Sequence, residues 1–160
     1  MLRISKLTDY GTVVLAHLAA SDGEIVSAAD VATATGLHLP TVSKLLKSLA
    51  KAGLVVSTRG ANGGYTLAKS ADDISAADVI DALEGPVSIT ECSSHDSHCE
   101  HEGVCNVGNA WQRVNIAIRR ALDDVTLRDL LRSHSPVPEF RIAGLPIRHE
   151  ATTVKKHVDR

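Results

Sequence analysis

The sequence predicts a mainly α-helical chain that opens with a helix-turn-helix, continues into a two-stranded hairpin and closes with a long amphipathic helix. Three observations predict it. Two apolar helical periods flank a tight turn at Gly36, two short strand-like runs bracket the glycine cluster Gly60 to Gly64, and apolar residues recur at helical spacing from Trp111 to Val125. In that order these are the parts of a winged helix-turn-helix with a two-stranded wing and a long C-terminal dimerisation helix.

Each element carries its own signal. Thr8 is expected to cap a first helix on which Val14, Leu15 and Leu18 share a face. Ser27-Ala-Ala-Asp30 resembles a capping box, with Val26 placed to staple against Val31, and Gly36 is a natural left-handed terminator. Pro40 then sits where a first-turn proline is tolerated, and Val42, Leu45, Leu46 and Leu49 repeat at i, i+3, i+4, i+7 up to Gly53. Leu54 to Thr58 is a β-branched run and Tyr65-Thr-Leu67 a second strand, so the glycines between them make a hairpin. Ser75-Ala-Ala-Asp78 opens a further helix that ends at Glu84-Gly85-Pro86, and Thr126-Leu-Arg-Asp129 starts a short last one. The expected organisation is residues 1–85 as a winged DNA-binding head, 86–108 as a Cys/His loop, 109–133 as the dimerisation helix and short final helix, and 134–160 as a flexible basic tail.

Charge is segregated along the chain. The net charge of -2 conceals +3 over residues 1–70, -9 over residues 71–108, where no Lys or Arg occurs, and +4 over the remainder. A basic end can approach phosphate while an acidic middle must point away from it. The first residues lack the apolar run of a secretory signal and no stretch approaches a membrane span, so a cytoplasmic protein without a membrane partner is expected.

All three cysteines fall in one segment, Cys92, Cys99 and Cys105, spaced C-x6-C-x5-C and interleaved with His95, His98 and His101. In a reducing compartment such a set favours metal ligation or redox chemistry over structural bridging. Thiolates are soft, charged ligands suited to iron-sulfur clusters, and fewer than four of them leave a coordination position for oxygen or nitrogen. Zinc in a closed sulfur and nitrogen site, or a thiol redox switch without metal, uses the same residues.

The second helix of the motif carries Lys44, Lys47 and Lys51 on the face opposite its apolar stripe. An α-helix fits the major groove of B-DNA, where lysines meet phosphate or guanine and the small hydroxyls of Thr41 and Ser43 can reach base edges. Arg59 stands at the hairpin tip, a position from which an arginine enters a minor groove. The expected partner is double-stranded operator DNA, read by a homodimer paired through the Trp111, Val114, Ile118, Leu122 and Val125 stripe. No Ser/His/Asp order, paired acid pattern or nucleotide loop supports an enzyme; Gly60-x-x-Gly63-Gly64 is followed by neither Gly-Lys-Ser/Thr nor a helix.

Over roughly residues 1–131 the chain resembles the winged-helix repressors that sense iron-sulfur clusters, typified by IscR and NsrR. The marks are Leu7-Thr-Asp-Tyr-Gly11, the helix pair around Gly36, Ala52-Gly-Leu-Val55 followed by Thr58-Arg-Gly60 and Gly63-Gly-Tyr65, the Ile74 to Gly85 helix, and three cysteines before a long helix. The resemblance implies a homodimer whose cluster, held by Cys92, Cys99 and Cys105, alters contact with operator DNA; 2Fe-2S is favoured over 4Fe-4S. IscR-like members complete the ligand set with a histidine three positions after the last cysteine, where this chain has Gly108. NsrR-like members use an aspartate of the Thr-Asp-Tyr segment from the partner subunit, which points to Asp9, with His95, His98 and His101 as competitors. The opening Leu2-Arg-Ile-Ser to Asp-Tyr-Gly11 looks closest to regulators of the Suf cluster-assembly operon; the alternatives are a zinc- or thiol-redox-responsive winged-helix regulator, or a nitric-oxide-sensing repressor of the same family.

Overall fold

The computed structural model describes residues 4–60, 62–90, 107–132, 141–142 and 145–146. Those residues form α1 (Lys6–Ala20), α2 (Ala28–Thr35), α3 (Leu39–Lys51), β1 (Val55–Thr58), β2 (Gly64–Leu67), α4 (Ala76–Glu84), α5 (Gly108–Asp123), α6 (Leu127–Leu131), β3 (Arg141–Ile142) and β4 (Leu145–Pro146). The winged helix-turn-helix architecture is present, with mainly helical structure and a two-stranded antiparallel wing.

Local chemistry sets the helix ends. Ser5, not Thr8, caps α1: its hydroxyl accepts the Thr8 backbone N–H at 3.3 Å, and Thr8 lies buried inside the first turn. The expected cap is thus displaced by three residues, because the Thr8 hydroxyl is drawn to Glu84 at the end of α4. Ser27 caps α2 as expected, accepting the Asp30 N–H at 3.2 Å, and Gly36 ends that helix in the left-handed conformation at φ 69°. The boxes at Ser75 with Asp78 and Thr126 with Asp129 are both closed, each side chain accepting the other residue's backbone N–H.

The hydrophobic interior sits beneath α1. Val14 and Leu15 of α1, Val31 of α2, Val42, Leu46 and Leu49 of α3, Ile74 before α4 and Leu127 of α6 are all 0% exposed. Each such aliphatic side chain contributes roughly 1.5–3 kcal/mol on leaving water. The short α6 belongs to the same interior as the head. Its Leu127 N–H donates to the Ile74 carbonyl at 2.7 Å, and the Ala76 N–H donates to the Val125 carbonyl at 2.8 Å, so the chain returns after α5 to the mouth of α4.

The wing pairs Val55 with Leu67 through Thr58 with Gly64. A third contact secures it. Val26, just before α2, exchanges backbone hydrogen bonds with Tyr65 at 3.0 and 2.8 Å. Gly64 makes this approach possible, since a Cβ there would come 2.5 Å from the Val26 carbonyl oxygen. β3 and β4 pair antiparallel within the segment expected to be a basic tail; the rest of that segment lies outside the described residues.

Candidate nucleic-acid interface

α3 separates its chemistry by face. Val42, Leu45, Leu46 and Leu49 are at most 1% exposed, while Lys44, Lys47 and Lys51 stand in solvent and Thr41 and Ser43 are half-buried at the edges. Packing of α3 against α1, α2 and α4 thereby fixes which side of the helix faces outward. Arg59, exposed directly after β1, lies at the wing tip beside Gly60, whose φ of 122° is closed to most other residues.

Three arginines elsewhere in the fold are engaged by carboxylates. Arg119 binds Asp81 at 2.6 Å, Arg128 binds Asp72 at 2.7 Å and Arg132 approaches Asp129 at 3.7 Å. Hydrogen bonding to Asp81 and to Asp72 holds the Arg119 and Arg128 guanidinium groups above their ordinary pKa. Among the described residues, Lys44, Lys47, Lys51 and Arg59 have no such carboxylate partner. Unpaired cations can take phosphate oxygens without first giving up an ion pair.

Of the four expected cluster ligands, Asp9 alone is among the described residues. It is exposed in the first turn of α1, and its carboxylate has no hydrogen bond or ion pair there. Cys92, Cys99 and Cys105, with His95, His98 and His101, lie outside the described residues. Among the described residues no group of three His, Cys, Asp or Glu side chains converges on a metal position. The two ends of the cysteine segment are nevertheless located: one follows α4, the other enters α5 at Gly108. Glu84, the last residue of α4, accepts from the Ser5 backbone N–H at 3.0 Å and from the Thr8 hydroxyl, beside Asp9.

The α5 stripe divides. Ile118 and Leu122 are half-buried and line an open groove of about 600 Å³ with Ile4, Ile80, Glu84 and Val87. Trp111 and Val114 remain 44% and 42% exposed. Asn115, between them and Ile118 on the helix, is only 7% exposed, a polar residue that the apolar period did not anticipate.

The model of the Rrf2 family, described as an iron-dependent transcriptional regulator, matches residues 4–133. The protein Rrf2 of Nitratidesulfovibrio vulgaris is 36% identical over 139 residues, 86% of this chain and 93% of that protein. This chain belongs to the Rrf2 family. It is a transcriptional regulator and not an enzyme. Among solved Rrf2-like structures, the B. subtilis global cysteine regulator CymR superposes with a TM-score of 0.63 at 34% identity, covering 84% of this chain and all of that one. T. potens IscR gives 0.58 at 33% identity, covering 82% of this chain and 87% of its own. Rrf2 regulators bind DNA and are generally dimeric. Among the described residues, no helix is long and apolar enough to cross a membrane.

Proposed function

We infer that this Rrf2 protein is an iron-sulfur-responsive repressor, a cytoplasmic homodimer that binds palindromic operator DNA of Suf-type cluster-assembly genes. One observation carries the reading: all three thiols occupy the single segment joining α4 to α5, between the DNA-binding head and the helix proposed for dimerisation. The family's description as iron-dependent supports it.

The donor set suits the group. Cys92, Cys99 and Cys105 supply three thiolates, and the carboxylate of Asp9, exposed and uncommitted among the described residues, supplies the oxygen donor that such a set lacks. A cluster so held supplies a redox- and iron-sensitive crosslink that is lost more readily than a four-thiolate one. The chain's own part is to couple that segment to the DNA-binding head. Glu84 ties the exit of α4 to the first turn of α1, and the pairing of Ile74 with Leu127 ties the exit of α5 back to the start of α4. A group held by the intervening segment therefore acts on both ends of α4, which packs against α1 and α3. The effect on DNA affinity is the difference in stabilisation of the two head arrangements.

Thr41, Ser43, Lys44 and Lys47 on α3, with Arg59 on the wing, are the residues assigned to DNA, the lysines to phosphate and the hydroxyls to base edges. The test is anaerobic purification with iron and sulfide analysis, repeated on Cys92→Ala, Cys99→Ala and Cys105→Ala proteins. Iron with equimolar sulfide in the parent and its loss in each variant are expected; a colourless parent carrying zinc would refute the cluster.

A further inference from the structure

Two apolar residues at the front of α3 take no part in the interior. Leu39 is 46% exposed, although the other leucines of the helix, Leu45, Leu46 and Leu49, are at most 1% exposed. Pro40 beside it is exposed as well. At 3.6 residues per turn, Pro40 falls within about 40° of Lys44, Lys47 and Lys51 around the helix axis, near the middle of the outward face. Leu39 lies about 100° from Pro40, at the border with the buried face, about 20° from Leu46 and 40° from Ser43. The tip of the helix that enters a groove is therefore apolar, with the cations set behind it.

The chemistry of that tip limits what it can recognise. Proline has no N–H and neither side chain has a polar atom, so no hydrogen-bonded reading of a base edge is open to the two side chains. In the major groove the apolar feature of a base edge is the C5-methyl group of thymine. Lys44, Lys47 and Lys51 supply the phosphate contacts that would hold the tip against it, and recognition helices present their N-terminal residues to the bases.

We propose that Leu39 and Pro40 determine sequence specificity by packing on thymine methyl groups, so that each half-site contains at least one thymine read through its methyl rather than through a hydrogen bond. This rests on the reading of α3 as the DNA-contacting helix, and goes beyond it by naming the residues and the chemical group.

The experiment begins with duplexes selected by the full-length protein from a randomised library. Each thymine of the selected site is then replaced singly by deoxyuridine, which removes the methyl and leaves every hydrogen-bonding group in place. With the parent protein, at least one position per half-site should weaken binding roughly fourfold, the factor that burial of one methyl-sized group provides. Leu39→Ala or Pro40→Ala, checked for native circular dichroism, should bind thymine and uracil sites equally at that position. Equal affinity for thymine and uracil at every position in the parent would overturn the assignment while leaving DNA reading by α3 intact. So would sensitivity that survives in both variants. Selection that yields no duplex would overturn the DNA-reading helix itself, and the methyl contact with it.

Discussion

Glu84 joins the last turn of α4 to the first turn of α1, accepting the Ser5 backbone N–H at 3.0 Å and the Thr8 hydroxyl. A carboxylate at a helix C-terminus opposes the macrodipole; here it is placed instead at the positive end of a second helix, where it is favourable. These bonds, the Thr8 hydroxyl first and the Ser5 N–H second, hold the Glu84 carboxyl below its ordinary pKa. Because the folded pKa is the lower one, the contribution is complete above the unfolded value and is lost as pH falls through the folded one. Glu84→Gln should therefore lower urea stability near neutrality, by less than about 1 kcal/mol for so exposed a group, and the gap from the parent should close below about pH 4. A gap independent of pH between 3 and 7 would remove the carboxylate from the account.

The wing offers a steric prediction. Gly64→Ala forces a methyl against the Val26 backbone, which is held by its hydrogen bonds to Tyr65 and cannot rotate away as a side chain would. A loss of about 1–3 kcal/mol in urea unfolding is expected. Stability equal to the parent would mean that Val26 and Tyr65 are not paired in solution.

On α5, position decides the outcome. Val114→Asp places a charge on the exposed part of the stripe and should leave the head folded while converting dimers to monomers in sedimentation. Leu122→Asp places it in the half-buried part and should lower unfolding stability as well. A Val114→Asp protein that remains dimeric would move the dimer seam elsewhere.

DNA binding should report the same division between free and paired cations. Lys44→Ala and Lys47→Ala should each weaken operator binding and reduce the slope of log affinity against log salt by about 1. Arg119→Ala, which removes a cation already bound to Asp81, should leave that slope unchanged. Equal slopes in all three variants would exclude α3 from phosphate contact.

Much of the architecture was legible because its signals are local. Ser27 with Asp30, Ser75 with Asp78 and Thr126 with Asp129 start helices where the spacing indicates, and the leucines of α3 fall on one buried face. What escaped notice depends on partners distant in sequence. Thr8 reads as a cap until Glu84, 76 residues away, claims its hydroxyl. The Val26 and Tyr65 pairing involves one residue on each side and so leaves no period to detect. The α5 stripe announces an apolar face, but its spacing does not distinguish Ile118 and Leu122, which line the groove, from Trp111 and Val114, which remain exposed. For the candidate site, the outward setting of Lys44 and Lys47 follows from the apolar period, whereas the ion pairs that occupy Arg119 and Arg128 emerge only from tertiary packing.

The most direct measurement is the operator affinity of anaerobically purified protein before and after removal of its iron, with iron and sulfide quantified in the same samples. The account predicts iron and sulfide in the purified dimer and a change in affinity of at least fivefold on their removal, which corresponds to about 1 kcal/mol of coupling. Cys92→Ala, Cys99→Ala and Cys105→Ala should each behave like the iron-free form throughout. An iron-free protein as isolated, or one whose operator affinity is the same with and without iron, would contradict it.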